Sequence, residues 1–254
     1  MTLKKEIHRP FKYENKNSNT IIIFIHGILE SPNQFKEFAK ISKKENFSYS
    51  AILLDGHGKS GKDFAKSNKD KWIKNVDAEI LKYKKSYENI ILVGHSMGGL
   101  LSVLFSLKYK KEVKGLVLIG TPLKVFVRYN IIRSSFKVVF RKIHKKDVLA
   151  QQALRAFSVD RCSIFTYITW IPRYIDLFIL IKKAKKQLGK VSVPTLIIQS
   201  KDDEFVSCKS LNVFRNELNN DYKIVNLEKS GHFHYEKGEL KYLLQEFKNF
   251  IKEI

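Results

Sequence analysis

A few short stretches of this chain carry side chains whose types and spacing suit covalent chemistry. The most telling is Gly94-His95-Ser96-Met97-Gly98-Gly99. A serine between two glycines, one residue removed on each side, can sit on a turn sharp enough to hold its hydroxyl clear of the backbone. Glycines at 94 and 98 let that turn close. A serine hydroxyl is a weak nucleophile until a base takes its proton, so a histidine and an orienting carboxylate are needed. Candidates follow in chain order. Asp202 and Asp203 lie in Ser200-Lys201-Asp202-Asp203-Glu204-Phe205-Val206, and His232 and His234 lie in Ser230-Gly231-His232-Phe233-His234. Negative charge building on a substrate oxygen also needs donors. The Met97 N–H, at the start of a helix, is one, and the Ile28 N–H in His26-Gly27-Ile28 is the other.

The elements around these residues place them at strand ends. Ile90 to Val93 is an apolar, β-branched run, and Leu100 to Leu107 is apolar on nearly every side, giving buried strand, tight turn and buried helix around Ser96. Thr20 to Ile25 is a second buried strand running into His26-Gly27. Ser50 to Leu54 reads as another, ending in Asp55-Gly56-His57-Gly58-Lys59-Ser60. His57 and Ser60 are read there as parts of a glycine-rich loop fixed by local hydrogen bonds, not as catalytic groups. Gly115 to Gly120, Pro194 to Gln199 and Tyr222 to Leu227 supply further strands, with a short edge strand or hairpin within residues 6–13. Trp72, Val76, Ile80 and Tyr83 form a core stripe on a helix that Asp70 can cap, and Leu240, Leu243, Phe247, Phe250 and Ile254 form another. Phe35 to Lys43 and Ser207 to Leu218 complete the helices. Strands alternating with helices predict an α/β fold, a doubly wound, mostly parallel sheet. Placed after the last strand, His232 is the expected base and His234 its rival; Asp202 and Asp203 both stand where the acid should lie.

Between Leu123 and Lys190 the pattern changes to mixed apolar and basic residues at helical spacing, as in Val125, Tyr129, Ile132 and Phe136. This predicts a helical cap over 123–190, inserted in a core formed by 1–122 and 191–254. Phe157, Phe165, Tyr167, Trp170 and Phe178 are candidates either to line an acyl pocket or to pack the cap itself. The chain of 254 residues carries a formal charge of +22, and residues 123–190 hold sixteen Lys/Arg against three Asp. Such a surface attracts anions, including an anionic membrane surface. No nucleic-acid-binding signature accompanies it, and no nucleic-acid partner is expected. Cys162 and Cys208 have no metal-ligand spacing and read as reduced thiols. The first residues lack an apolar signal core, and Trp170 to Ile181 is short for a bilayer span and holds Arg173 and Asp176, so a soluble cytoplasmic protein is expected.

These stretches resemble the α/β-hydrolase superfamily over essentially the whole chain. Within it, the chain is similar to the monoacylglycerol lipase and bacterial carboxylesterase branch, also described as serine aminopeptidase S33-like. The resemblance implies an α/β-hydrolase fold with Ser96 as nucleophile, His232 as base and Asp203 as acid. Asp203 is preferred because the family's Gly-x-x-Asp-x-x-Val loop aligns it with Val206, with Ser200 standing at the Gly position. Ile28 and Met97 would be the oxyanion-hole donors. The implied activity is hydrolysis of carboxylic esters through an acyl-enzyme, with no metal or organic cofactor and a small acyl ester as substrate. Lysophospholipase or thioesterase action at lipid interfaces, or a non-catalytic basic membrane-associated module on the same scaffold, are the alternatives.

Overall fold

The computed structural model describes residues 7–125, 156–160 and 162–254. Seven strands form one sheet: β1 (Phe11–Tyr13), β2 (Thr20–Ile25), β3 (Ser48–Ala51), β4 (Asn89–His95), β5 (Val113–Ile119), β6 (Thr195–Ser200) and β7 (Tyr222–Leu227). Their order across the sheet is β1-β3-β2-β4-β5-β6-β7. β1 runs antiparallel to β3, and every other pair is parallel.

Alternation along the strands splits the core into two layers. Ile21, Ile23, Ile25, Leu92, Leu116, Leu118 and Ile197 point to one face. There they meet α3 (Lys69–Tyr83), through Trp72, Val76 and Ile80, and α4 (Met97–Lys108), through Leu100, Leu101 and Val103. Ile22, Phe24, Ile91, Val93, Val117 and Ile198 point to the other face. That face is covered by α1 (Lys36–Lys44), through Phe38, and by the C-terminal helix Lys237–Glu253, through Leu243, Phe247 and Ile251. A period-two strand buried on both sides reads as a continuous apolar run, which is how β2 and β4 look in the sequence.

Most element limits shift by a residue or two from the sequence reading, as at β5 and β6, and two differences bear on local structure. The strand expected at Ser50 to Leu54 lies at Ser48–Ala51. Past Ala51 only the Ile52 N–H still bonds the neighbouring strand, at the Phe24 carbonyl, while Leu54 stays buried beyond the strand end. The cap of α3 is Asn68, whose side chain accepts from the Lys71 N–H; Asp70 falls in the first turn, where its charge faces the helix N-terminus. Ser60 also acts locally. It forms a reciprocal capping box with Asp63 at the start of α2 (Gly61–Ala65).

Within 123–190, Tyr129, Ile132 and Phe136 lie outside the described residues. Two helices are described, α5 (Ile164–Ile168) and α6 (Ile171–Gln187). Leu180, Ile181 and Ala184 of α6 join the core layer that contains α4. The start of α6 is fastened to α2: Trp170 Nε1 donates to the Gly61 carbonyl at 2.9 Å and Arg173 Nη1 to that of Ala65 at 2.5 Å. By length and composition alone, Ile164–Lys190 is apolar enough to cross a membrane. In the fold one side of α6 is seated on the core, and its outer side carries Ile171, Ile175 and Phe178, each more than half exposed. Two further helices complete the fold: α7 (Lys209–Glu217), and α8, the C-terminal helix.

Candidate active site

Ser96 stands between β4 and α4 with φ 53° and ψ −121°. A residue with a Cβ at positive φ is strained by about 1–3 kcal/mol, so the packing around it must hold it there. The close approach of α4 to β2 does so. A Cβ at Gly98 would run into the carbonyl oxygen of Ile25, and one at Gly94 into the backbone of Gly98 and Gly99. The Ser96 N–H donates to the Ile119 carbonyl at 2.8 Å. Its side chain makes no capping bond to the helix it precedes. The hydroxyl is therefore presented for other use.

The loop after β2 is fixed on both sides of Ile28. The Gly27 N–H donates to Glu30 Oε2 at 2.7 Å and the Leu29 N–H to His57 Nε2 at 3.0 Å. The Ile28 N–H has no hydrogen-bond partner among the described residues. Leu29, at φ 64°, makes the reversal that turns this loop. His57 belongs to the loop's support: its Nδ1 lies 3.0 Å from the Asp55 carbonyl, which fixes Nε2 as the acceptor. His26 is wired alike, with Nδ1 on the Gly27 carbonyl and Nε2 accepting from the Leu54 N–H. Burial pushes His26 down to about 3 and His57 to about 4, so both are neutral struts. The sequence reading of His57 as a locally bonded loop residue fits its Asp55 contact, while its bond to Leu29 reaches a second loop 28 positions away.

Asp203 and His232 meet across the ends of β6 and β7. His232 Nδ1 lies 2.8 Å from Asp203 Oδ2. The other carboxylate oxygen accepts from the Phe205 and Val206 N–H groups at 2.9 and 2.7 Å. Burial pushes the Asp203 carboxyl up, but the His232 charge and these hydrogen bonds outweigh it and hold it below its usual range. Burial likewise pulls His232 down, and the charge and hydrogen bond of Asp203, with the charge of Glu30, reverse this and raise it. The His232 N–H donates to Glu204 Oε2 at 2.8 Å, which fixes its loop. Asp202 and His234, the sequence-level rivals, are exposed.

Two buried residues that the sequence reading did not single out, Glu30 and His95, join these pieces. Glu30 Oε2 accepts from His95 Nδ1 at 2.8 Å and from Gln34 Nε2 at 2.6 Å, besides Gly27. His95 Nε2 lies 3.1 Å from the His232 carbonyl. Among the described residues Glu30 Oε1 has no hydrogen-bond partner, and it lies 3.8 Å from His232 Nε2. A Cβ at Gly27 would touch both this carboxylate and Ser96 Cβ, so Ser96, Glu30 and His232 share one small space. Burial pushes the Glu30 carboxyl up, but the His95 charge and hydrogen bond and the His232 charge bring it down to about 2. Glu30, His95 and His232 each offer a ligand atom within 4.8 Å of the others. Both His95 nitrogens face acceptors, however, so no lone pair on that ring is open to a metal ion. Among the candidate pocket residues, Phe157 packs on Phe233, which packs on His232 and Phe205. Trp170 is buried against Phe64 and Tyr167, while Phe165 and Phe178 face outward.

Residues 16–235 match the family model described as serine aminopeptidase, S33. A Bacillus subtilis carboxylesterase is 22% identical over 232 residues, 88% of each chain. A Mycoplasma pneumoniae protein whose name places it among esterases or lipases is 32% identical over 94 residues, and that match spans 37% of this chain and only 34% of the relative. Among solved structures, a metagenome-derived lipolytic enzyme superposes with a TM-score of 0.78 at 18% identity, covering 98% of both chains. The Paleococcus ferrophilus monoacylglycerol lipase superposes with a TM-score of 0.68 at 14% identity, covering 94% of this chain and 98% of that one. A fold shared over nearly the whole chain and a family model spanning most of it agree with the elbow at Ser96: the chain belongs to the serine aminopeptidase S33 family and is an esterase/lipase-like α/β-hydrolase.

Proposed function

We propose that the protein hydrolyses carboxylic esters through an acyl-enzyme on Ser96. The observation that carries this reading is the Asp203–His232 pair, buried and 2.8 Å apart, set beside a strained serine whose hydroxyl caps nothing. With Nδ1–H held by Asp203, His232 Nε2 is a free base. It takes the Ser96 proton as Oγ bonds to the acyl carbon, and the Ile28 and Met97 N–H groups receive the charge on the carbonyl oxygen. The C–O bond to the alcohol then breaks, and the proton on Nε2 passes to the departing oxygen. Water repeats the sequence to release the acid and restore Ser96. No step calls for a metal or organic cofactor.

The exposed stripe of α5 and α6 supports action on lipid-like esters at a surface. Phe165, Ile168, Ile171, Ile175 and Phe178 are each more than half exposed, and Lys182, Lys183, Lys185 and Lys186 follow along the same helix. Apolar residues beside a basic cluster suit an anionic bilayer surface.

The test is turnover of a p-nitrophenyl ester series from short to long acyl chain, for wild type and Ser96→Ala. Turnover that vanishes in the variant, with fluorophosphonate labelling of Ser96 in the wild type, is expected. A folded Ser96→Ala protein with full activity would refute the reading.

A further inference from the structure

Glu30 is a carboxylate with almost no exposure. Its oxygens are treated unequally. Oε2 receives three donors from three segments: the Gly27 backbone in the β2 loop, Gln34 at the following turn, and His95 at the end of β4. Three donors on one oxygen leave no place for a proton there. His95 in turn has a carbonyl acceptor on Nε2 and this carboxylate oxygen on Nδ1, so both ring nitrogens must carry hydrogen. The pair is therefore carboxylate and imidazolium, with side chains only 2–3% exposed. A buried ion pair is seldom kept for net stability, because desolvation of both ions offsets much of their attraction. Here the pair spans the site. The His95 bond to the His232 carbonyl extends it to the loop after β7.

We propose that Glu30 is a positioning residue for the base histidine: with His95 it locks the oxyanion loop, the nucleophile turn and the His232 loop into one unit, and its unpaired oxygen keeps a negative charge facing His232 Nε2. This rests on the serine-hydrolase reading above. His232 then stands between two carboxylates, Asp203 at Nδ1 and Glu30 at Nε2, at 2.8 and 3.8 Å. Glu204 faces it from the β6 loop through the backbone, and His95 faces it from β4 with ring centroids 4.7 Å apart, while the buried Tyr235 phenol feels the charges of Glu30 and Asp203. His26 and His57, which face Glu30 from the strand ends, are uncharged. A negative charge at Nε2 stabilises protonated His232. The base must lose that proton before it can accept another from Ser96, so Glu30 adds to the larger effect of Asp203 in raising the lower pH limit of activity. It also holds the imidazolium in place while the alcohol leaves.

The experiment is the pH profile of kcat/KM on a soluble ester for wild type, Glu30→Gln and His95→Asn. Glu30→Gln keeps the shape and removes the charge, so its acid limb should move to lower pH by about one unit. His95→Asn keeps a donor to Glu30 and removes the positive charge, so its limb should move to higher pH. A Glu30→Gln variant whose rate falls by the same factor at every pH overturns the proposal and leaves Glu30 a structural residue. Nitrogen NMR of wild-type His95 at neutral pH decides independently of whether the variants fold. Hydrogen on both nitrogens is expected, and hydrogen on one alone overturns the ion pair. Absence of fluorophosphonate labelling at Ser96 in the wild type would instead overturn the parent reading, so the two failures are distinct.

Discussion

Replacing Asp203 with asparagine tests the proposed site through a constraint that lies in the backbone. The carboxylate uses one oxygen for His232 Nδ1 at 2.8 Å and the other for the Phe205 and Val206 N–H groups at 2.9 and 2.7 Å. An amide has only one oxygen. If that oxygen stays on the two backbone donors, the NH2 group faces Nδ1, which must then be bare. The ring proton moves to Nε2, and His232 can no longer take a proton from Ser96. If the amide flips, two buried N–H groups face an NH2 and lose their acceptor. Each unsatisfied donor costs about 1–3 kcal/mol, so the flipped form is disfavoured by about 2–6 kcal/mol. At about 1.4 kcal/mol per factor of ten, the competent tautomer falls to roughly a thirtieth or far less of the population. Loss of the carboxylate charge beside the developing imidazolium adds to this, and the expected fall in kcat is roughly a thousand- to ten-thousand-fold. Asp203 is buried behind His232, so KM should change little. The assay is steady-state turnover of a short p-nitrophenyl ester alongside a thermal melt, with Asp202→Asn as the control. Asp202 is exposed, and its variant should stay within about twofold of wild type. A folded Asp203→Asn protein that keeps more than about a tenth of wild-type kcat would refute the tautomer argument.

Two other outcomes follow from packing and surface. Gly98→Ala places a methyl against the Ile25 carbonyl, which belongs to a central strand and cannot yield; a loss of about 3 kcal/mol, read as a fall in Tm of about 10 °C, is expected, and an unchanged melt would contradict the described approach of α4 to β2. Phe165→Ser together with Phe178→Ser removes two outward rings from the stripe on α5 and α6, so co-sedimentation with anionic vesicles should drop roughly tenfold or more while turnover of a soluble ester is unchanged. Equal vesicle binding by wild type and variant would remove this face as the lipid contact.

Most of what positions the site was legible because it depends on strongly patterned residues. Thr20–Ile25 and Tyr222–Leu227 are runs whose limits coincide with β2 and β7, and Gly94 to Gly98 carries its own geometry. Ser48–Ala51 was harder to place, since apolar Leu53 and Leu54 extend the pattern past the point where pairing stops. Asn68 and Asp70 both suit a helix start, and only the geometry of the first turn separates them. Helix α6 reads as mixed basic and apolar because half of it rests on the core and half is outward. Glu30 and His95 were invisible for a different reason. Each is a single polar residue inside a stretch already explained by its neighbours, and their meaning lies in a contact between residues 65 positions apart. A polar residue at the end of β4 and another in the loop after β2 were the available signal, but one sequence offers no way to pair them.

Two clasps tie distant segments to the loops that carry the site. Val125 bridges Val206, and the Lys124 N–H and carbonyl both bond Ser210. Ser158 Oγ donates to the Glu30 carbonyl at 2.5 Å, and the Asp160 N–H to that of Lys59 at 2.9 Å. Val206 is also one of the two backbone donors to Asp203, and Glu30 closes the loop after β2. A strain applied at either clasp is therefore felt first by the acid loop or by the loop after β2.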